Sequence, residues 1–488
     1  MFNFFNIDLS SKRARLALRF FTYGVMTLAT ILLTILAVFY AMGYRFNQND
    51  LSFEQGGLLQ FRSVPQNAQV VINDKLQNFT TPGRINFSAG NHTVKMQLEG
   101  YHTWQKNISL APGELLWLNY ARLIPQNITT TKMADFDQIT GAMASPDRKW
   151  MLVHTKADQP IFKLVDFSDV KKPVVTDLTI PDSQLTKKDD AYGQFVIKEW
   201  DLNSRYILVE HTNKDTRELL RIDRQKAVDA KNVSRLFSLN ILEAHFAGGN
   251  ANLLFANTDG VLRSLDVGAS TASAALVNGV EQFMVYGDGA IAFVATQDGS
   301  SAGVKQRVAG VYTQGKETVA RTFAADAKVQ VAYSEYVRHA YLAVHTGDGT
   351  IKVLRDPTAT TKDNAEVAEF KVANSAQWLK FSSSGRMIIA GNGNDVANYD
   401  LELDKLTAWQ VSGPALTRPL QWLDDYYLWT DAGANLRVFE FDGNNDHQIT
   451  SVAEGLIPAL SQDGAYLYSF KKTDTGTYEL RGSQLVKS

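Results

Sequence analysis

The stretch "SPDRKWMLV" (Ser145–Val153) places turn-forming residues directly before an apolar, strand-like run. Serine, proline and aspartate favour tight turns, and a short apolar run bounded by such residues is typical of a β-strand. The pattern recurs in seven further copies, which begin at Asp201, Ala247, Tyr286, Glu335, Ser382, Trp422 and Ser461. The long C-terminal region is therefore predicted to consist of repeated turn-and-strand units.

The spacing of these copies indicates the architecture. They start about 45 residues apart on average, within the range of about 40–50 residues for one four-stranded blade of a β-propeller. We therefore predict a propeller of seven or eight blades over residues 133–488, with two stacked β-domains as the alternative. The pattern resembles that of WD40-like propellers without their Gly-His and Trp-Asp signatures, so the resemblance implies no particular propeller family.

Two details refine this prediction. The first interval is longer than the others, which predicts a loop insertion around residues 179–193. Further turn-and-strand segments, such as "TDGVLRSLDV" (258–267) and "TDTGTYELRG" (473–482), follow several copies. These segments are predicted to supply the third and fourth strands of a blade.

Residues 20–44 form a run without a charged side chain. As a helix this run spans roughly 37 Å, enough for a hydrocarbon layer of about 30 Å with some tilt. Positive residues favour the cytoplasmic side, so the tail before the run is predicted to be cytoplasmic and the chain after it extracytoplasmic. A cleaved signal peptide is the alternative, but its apolar region covers only about 7–15 residues. The orienting basic residues are Lys12, Arg13, Arg15 and Arg19.

The composition excludes several classes of function. The formal net charge of -2 supplies no general field for nucleic acid, and we predict no nucleic-acid partner. The chain has no cysteine, which excludes thiolate metal sites, iron–sulfur clusters and a cysteine nucleophile. No cofactor is predicted.

Residues 56–123 alternate strand-like segments with turns, and no stretch has a helical period. The segment "SVPQNAQVVINDKLQNFTTP" (63–82) contains a "PQNA" turn, a "QVVI" strand and an "NDK" hairpin turn. The following "SAGN" and "APGE" turns each separate two further strands. This pattern predicts a small all-β sandwich.

The order of motifs in this segment resembles the PEGA domain family. That family is named after a Pro-Glu-Gly-Ala turn, which precedes a strand and hairpin, a Thr-Pro, a Gly-x-His, a Glu-Gly-Tyr and a closing Pro-Gly turn. The positions that match these motifs are Pro65, Ala68, Val70, Ile72, Thr81, Pro82, Gly90, His92, Glu99, Gly100, Tyr101, Pro112 and Gly113.

The departures from the family pattern exchange one turn former for another. Gln66 and Asn67 replace the Glu and Gly of the name, and Asn73-Asp74 replaces an Asp-Gly turn. The resemblance implies an extracytoplasmic module without established catalytic residues. It also implies that His92 is a strand residue rather than a ligand, and that Tyr101 and Trp104 belong to the core rather than to a glycan platform.

Searches for catalytic or metal-binding motifs give weak candidates. The histidines His154, His211 and His345 end strand-like runs at similar places in different repeats. A propeller would bring them to one rim, where a metal or another ligand could bind, but a chance distribution of polar residues at strand ends is the default interpretation. The "DGNNDH" stretch from Asp442 has the first acidic positions of a calcium loop, but it lacks the later Gly and Glu, so we predict an exposed hairpin turn between blades. "SDVK" (168–171) is predicted to be a turn. No catalytic, cofactor-binding or metal-binding residue is therefore assigned.

The combined prediction is a single-pass protein of a bacterial or archaeal cell envelope. Its parts are a cytoplasmic tail (1–19), a transmembrane helix (20–44), a linker (45–55), a PEGA-like domain (56–123), a linker (124–132) and the propeller (133–488). The predicted partners are the lipid bilayer along the helix and a protein or cell-wall glycan at the propeller rim.

The predicted role is non-enzymatic binding or scaffolding, with the PEGA-like domain as a stalk or wall-contact module. An enzymatic activity stays open, because propeller active sites are assembled from loops of several blades. The alternative function is a glycan-active propeller, either a lectin or a hydrolase, at the cell surface.

Overall fold

The computed structural model describes residues 12–41, 44–47, 52–189, 191–299, 303–359 and 365–487. Parts of the predicted tail and first linker, residues 1–11 and 48–51, lie outside the described residues. The chain divides into two compact units, Met1–Gln126 and Asn127–Ser488.

The first unit begins with helix α1 (Lys12–Ala41), within which Leu18–Phe39 is long and apolar enough to cross a membrane. Three threonine hydroxyls along the helix donate to the carbonyl four residues earlier, at 2.7–2.9 Å. These bonds satisfy the hydroxyls of Thr22, Thr30 and Thr34 on the apolar surface, which suits a helix surrounded by lipid. The helix ends before Tyr44, which starts the first strand.

Eight strands follow and form two four-stranded sheets. The strands are β1 (Tyr44–Asn47), β2 (Ser52–Val64), β3 (Gln69–Ile72), β4 (Lys75–Thr80), β5 (Gly83–Ser88), β6 (Gly90–Gln97), β7 (Trp104–Leu110) and β8 (Leu115–Arg122). In the first sheet β2 pairs with β1, β5 and β8, and the second sheet has the order β4-β3-β6-β7. Strand β1 begins at Tyr44, the last residue predicted for the transmembrane helix, and the rest of β1 and the start of β2 lie in the range predicted as a linker.

The two sheets enclose one apolar core, as expected for a sandwich. Leu59 and Phe61 on β2 face Val70, Met96 and Trp104 of the other sheet, and all five side chains are buried. Their neighbours along each strand are more exposed, which is the period-two pattern of a sheet with one covered face.

The second unit contains the remaining strands. They are β9 (Thr130–Phe136), β10 (Gly141–Ala144), β11 (Trp150–His154), β12 (Ile161–Asp166), β13 (Val174–Thr179), β14 (Gln194–Trp200), β15 (Tyr206–Asn213), β16 (Thr216–Asp223), β17 (Lys231–Asn232), β18 (Ile241–Ala247), β19 (Asn250–Thr258), β20 (Val261–Asp266), β21 (Thr271–Ala272), β22 (Val277–Asn278), β23 (Val280–Tyr286), β24 (Ala290–Asp298), β25 (Lys305–Thr313) and β26 (Lys316–Ala324).

The list continues with β27 (Gln330–Tyr336), β28 (His339–His345), β29 (Thr350–Arg355), β30 (Ala365–Lys371), β31 (Trp378–Phe381), β32 (Met387–Asn392), β33 (Asp395–Asp400), β34 (Lys405–Gln410), β35 (Gln421–Trp422), β36 (Tyr427–Thr430), β37 (Asn435–Glu440), β38 (His447–Ser451), β39 (Ala459–Leu460), β40 (Tyr466–Lys472) and β41 (Tyr478–Gln484). Helix α2 (Val233–Phe237) and three single 3₁₀ turns, Asp182–Gln184, Ala227–Asp229 and Ala432–Ala434, lie in connections.

These strands form eight antiparallel sheets, counted over the described residues, and each sheet is one blade of a β-propeller. Blades 1 to 7 begin at β10, β14, β18, β23, β27, β31 and β35, and each uses strands in chain order. Blade 3 carries one additional short strand, β22, paired with β20. Blade 8 combines β39, β40 and β41 with β9, which comes from the opposite end of the unit.

The ring closes where blade 8 meets blade 1. Strand β9 pairs with β41 from Thr130–Ser483 to Phe136–Tyr478, so the first strand of the unit is hydrogen-bonded to the last. Phe167 of the first blade stacks on Tyr468 of the last, with ring centroids 4.0 Å apart. The propeller therefore has eight blades, and it begins at Thr130 rather than at the predicted residue 133.

The turn-and-strand pattern corresponds to one place in every blade. Each of the eight copies covers the turn between the first and second strands together with the second strand. The segments 258–267 and 473–482 were predicted to supply third and fourth strands, and this is wrong for the fourth. Each contains only the third strand of its blade: in blade 3 the fourth strand follows a further connection, and in blade 8 the fourth strand is β9. The predicted insertion is the long connection from β13 to β14.

Candidate functional site

The first strand of each blade lines the centre of the ring. First strands of successive blades contact one another, as β18 does with β23 and β27 with β31. The fourth strands form no comparable contacts within the described residues, and several of them are largely exposed. The turns after the first strands therefore surround one mouth of the central channel.

A pocket of about 250 Å³ opens at this mouth, between blades 7, 8 and 1. We call it the channel pocket. Its walls come from the short first strands of blades 7 and 8 and from the first turn of blade 1, and its residues are Ala144, Ser145, Pro146, Arg148, Gln421, Trp422, Leu423, Trp429, Ile457, Pro458, Ala459 and Leu460. Most of these side chains are apolar, aromatic or proline.

Two donors in the channel pocket are not used by the protein. The indole Nε1 of Trp422 is buried and has no hydrogen-bond partner among the described residues. The Arg148 side chain has no ion pair or hydrogen bond to the described part of the chain. Gln421 differs, because its amide oxygen accepts from Lys380 at 2.8 Å and its amide nitrogen donates to a backbone carbonyl at 3.1 Å. Apolar walls with two free donors fit a ligand that combines an apolar group with an acceptor.

The Trp429 ring is covered, whereas Trp422 is partly exposed. Trp429 is only 2% exposed, and the Arg418 guanidinium lies 4.7 Å from its ring centroid. Arg418 is held there by Asp431, with Nε and Oδ1 3.0 Å apart. A sugar ring needs an open aromatic face to stack on, and Trp429 offers none, which favours an inserted apolar side chain over a sugar stacked on that ring.

A second polar group on the first strands joins blades 2 and 3. Glu199 on β14 and Glu243 on β18 both bond to His245, at 2.8 Å to Nδ1 and 3.3 Å to Nε2. The edge of the His245 ring also contacts Phe283 of blade 4, with centroids 5.2 Å apart. We call these three polar residues the His245 cluster.

The chemistry of the His245 cluster follows from its charges. Burial lowers the pKa of His245, but the hydrogen bonds to Glu199 and Glu243 outweigh this effect and raise it to about 9. A histidine that is protonated at neutral pH has no free lone pair and is unsuited to act as a general base. The cluster therefore serves as a charged link between blades.

The three histidines singled out from the sequence occupy equivalent positions near the ends of second strands, as predicted, but they do not form one site. His154 contacts Thr140 Oγ1 at 2.8 Å and the Gln159 carbonyl at 2.9 Å in blade 1. His345 contacts only Ser375, at 3.2 Å, among the described residues. Burial lowers the pKa of both histidines, which keeps them neutral within their own blades.

His211 belongs to a buried network of blade 2. Its Nδ1 lies 2.9 Å from Glu218, which also accepts from the Thr186 hydroxyl at 2.6 Å. Burial raises the pKa of Glu218, but these hydrogen bonds outweigh it and lower that pKa to about 2. The network holds the long connection between β13 and β14 against the blade.

The remaining sequence candidates, the "DGNNDH" and "SDVK" stretches, lie in turns. Asp446, in the stretch with a partial calcium-loop pattern, pairs with Arg437. This turn joins β37 to β38 within blade 7, so the predicted place between blades is wrong. In "SDVK", the Ser168 hydroxyl donates to Asp166 at 2.6 Å. Over the residues that the structure describes, no group of histidines and carboxylates is arranged to hold a metal ion.

The family-motif residues of the sandwich make structural contacts. The buried Thr81 hydroxyl accepts from the Ala68 backbone N–H at 3.0 Å and lies 2.5 Å from the Ser63 hydroxyl. The peptide bonds preceding Pro65 and Pro82 are both cis. Thr81 thus ties the "PQNA" turn to the Thr-Pro segment, which explains why the two motifs occur together.

His92 connects two further motifs. Its Nε2 donates to the Ser88 carbonyl at 2.7 Å, and its Nδ1 accepts from Asn73 at 2.9 Å. Asn73 has a φ of 49°, and it shapes the hairpin turn between β3 and β4. Tyr101 and Trp104 are buried in the core. These contacts make the motif residues determinants of the fold.

The channel pocket and the His245 cluster could not be found by motif search. Trp422 and Arg148 lie on blades 7 and 1, far apart in the sequence, and no spacing relates them. The only sequence signal for the channel pocket was the pair of repeat copies at Ser145 and Trp422, because these copies mark the turns that lie at the channel mouth.

Comparison with known proteins agrees with this description. Residues 57–123 match the model of the PEGA domain. No curated protein matches the chain.

Solved structures that resemble the chain include several propellers. Dipeptidyl peptidase 4 of Porphyromonas gingivalis has a TM-score of 0.49 at 11% identity, over 72% of this chain and 60% of that one. Hsv2 of Kluyvelomyces marxianus has a TM-score of 0.41 at 12% identity, over 62% of this chain and 92% of that one. The Cps50 (Swd1) β-propeller domain of Myceliophteria thermophila has a TM-score of 0.39 at 11% identity, over 72% of this chain and 99% of that one. Likenesses this distant assign no function.

Proposed function

We propose that this protein is a single-pass envelope protein of a bacterium or archaeon that binds a protein partner through its propeller. Helix α1 crosses the cell membrane with its basic N-terminal end in the cytoplasm, and the PEGA domain and propeller lie outside. The apolar segment Leu18–Phe39 and the PEGA match at residues 57–123 support this topology. The PEGA domain acts as the stalk or wall-contact module.

The observation that carries the binding function is the channel pocket. Its apolar walls and the free donors of Trp422 and Arg148 fit an extended protein segment. The partner inserts one apolar side chain, and a neighbouring carbonyl or carboxylate accepts from the two donors. An unpaired buried donor costs about 1–3 kcal/mol, and a ligand that pairs with it recovers part of this cost.

The role is non-enzymatic in this proposal. The carboxylates that come together on the first strands, Glu199 and Glu243, are both bonded to a protonated His245. A glycosidase needs one carboxyl group kept protonated near neutral pH by its surroundings, and a cationic neighbour has the opposite effect. A lectin is the alternative, and the covered ring of Trp429 disfavours it.

Site-specific photo-crosslinking in living cells tests the proposal. A photoreactive residue replaces Ile457, which lines the channel pocket and is 40% exposed. The matched control replaces Val337, which is 69% exposed on the first turn of blade 5. We expect a defined protein adduct from position 457 and none from 337. Adducts with glycan alone would establish the lectin alternative, and equal adducts at both positions would refute the pocket.

Affinity measurements with the captured partner then test the donors. Arg148→Ser and Trp422→Phe should each weaken binding about 5- to 30-fold, since each removes one hydrogen bond worth about 1–2 kcal/mol. Arg338→Ser is the control, because Arg338 also lies on a first turn with a positive φ, 66° against 59° for Arg148. Unchanged affinity in both pocket variants would contradict the proposed contacts.

A further inference from the structure

The first sheet of the sandwich has an apolar patch on its outer face. Leu115 and Trp117 of β8 are 45% and 44% exposed, while Leu116 and Leu118 between and beside them pack into the core. Register places Leu58 of β2 next to Leu115 on the same face. Two large exposed apolar side chains on one edge strand form a surface that favours contact with a membrane or with another protein.

Two arginines extend this face along the strands. Arg84 on β5 lies opposite Gln60, which lies opposite Trp117. Arg62 follows two residues later on β2, and both arginines are exposed. Neither arginine has an ion pair with a residue in the described ranges. We call Leu58, Leu115, Trp117, Arg62 and Arg84 the outer face.

The apolar end of the outer face lies close to the end of helix α1. The ring of Phe39, in the last turn of the helix, contacts the ring of Tyr44 with centroids 5.1 Å apart. Tyr44 pairs with Gln55 on β2. Leu58 follows Gln55 by three residues, about 10 Å along a strand. The end of the helix therefore lies near the Leu58 and Leu115 end of the sheet, and the two arginines lie farther along the strands.

We propose that the outer face rests on the headgroup region of the membrane that helix α1 crosses. Trp117 and Leu115 enter the interface, where tryptophan is favoured because its ring is apolar and its N–H is polar. Arg62 and Arg84 pair with phosphates of anionic lipids, which attract basic side chains close to the membrane surface. This inference rests on the membrane anchoring in the proposed function. It makes the sandwich a second membrane contact that limits how the domain tilts on its helix.

Spin-label accessibility measurements test this contact. The chain has no cysteine, so single cysteines can be introduced into the full-length protein without a background variant. Leu115→Cys reports on the outer face and Leu28→Cys on the apolar helix. Leu76→Cys, at a leucine 63% exposed on the other sheet, is the matched water-exposed control. The protein is reconstituted in vesicles of phosphatidylethanolamine and phosphatidylglycerol.

We expect the label at position 115 to collide several-fold less often with a water-soluble nickel complex than the label at 76, and more often with oxygen. Adding Trp117→Ser or Arg84→Glu should shift it towards the values at 76. If the label at position 28 is in lipid but the label at 115 has the same accessibility as the label at 76, the contact of the outer face is refuted and the membrane anchoring by α1 is retained. If position 28 is itself in water, the anchor fails. A label at 115 shielded from both reagents would show that protein, and not lipid, covers the face.

Discussion

A single imidazole shows how residue chemistry sets a property of the propeller. His245 bonds to two carboxylates, and these bonds overcome the effect of burial and raise its pKa to about 9. An unfolded histidine has a pKa near 6.5. The proton is therefore bound more tightly in the folded state, and the stabilisation from the charged link is complete below about pH 6.5 and is lost as the pH rises to about 9.

The variant His245→Gln should remove this pH dependence. Glutamine keeps hydrogen-bonding capacity but cannot take up a proton. We expect the thermal midpoint of the wild-type propeller to fall between pH 6.5 and 9 more steeply than that of the variant. Calorimetry at several pH values measures this, and Glu199→Gln should behave similarly because it removes a carboxylate from the same imidazole. Parallel curves for wild type and both variants would contradict the role of the proton.

Thr81 gives a second prediction at the residue scale. Thr81→Val keeps the shape of the side chain but removes the acceptor of the Ala68 N–H and the partner of the Ser63 hydroxyl. Because the site is buried, we expect a loss of about 1–3 kcal/mol in the free energy of unfolding of the sandwich. Thr80→Val, at the adjacent exposed position on β4, is the control and should change little. Equal effects of the two substitutions, measured by denaturant titration, would mean that the hydrogen bonds are not the cause.

At the scale of elements, strand β9 closes the ring. Phe136, on this strand, is buried, and its ring lies 6.0 Å from that of Phe470 on β40. Phe136→Ala should destabilise the propeller by about 3–5 kcal/mol, since it leaves a cavity at the joint between the first and last blades. Thr131→Ala, at an exposed position of the same strand, should cost far less. Unfolding curves followed by tryptophan fluorescence compare the two, and a cost below about 1 kcal/mol for Phe136→Ala would show that the joint is not essential.

The second strands of the blades were predictable from the sequence, because their signal is local. A turn residue cluster and the apolar run after it are adjacent in the chain, and each copy therefore appears without knowledge of the others. The position of β9 was not predictable in this way. Its partner is 353 residues away, as the bond between Thr130 and Ser483 shows, and a short polar strand carries no mark of so distant a register.

The same reasoning explains what could be predicted of the candidate site. The PEGA motifs were visible because Thr81, Asn73 and His92 act within one small domain. The channel pocket brings together Trp422 and Arg148 only after eight blades close into a ring. No local pattern in the sequence specifies such a pair, although the repeat copies mark the strand ends on which both residues lie.

For the whole molecule, the topology is the property that decides the others. Positive charge in the first turns of α1 and the apolar span that follows within the helix predict a cytoplasmic N-terminus. Leu202 is 62% exposed on the propeller. In intact cells of the organism that makes this protein, a membrane-impermeant maleimide should therefore label the variant Leu202→Cys before lysis. Ser11→Cys should react only after lysis. The reverse pattern would place the propeller in the cytoplasm and overturn the envelope assignment.

Ring closure by β9 also sets an order of events during synthesis. The first strand of the propeller leaves the ribosome long before β41, so blade 8 stays incomplete until β41 has been made. A chain that is terminated before β41 lacks the partner of β9 and leaves an open strand edge in blade 8. The seven residues of β41 thus act as a signature of completeness, because a chain closes the ring only once it includes them.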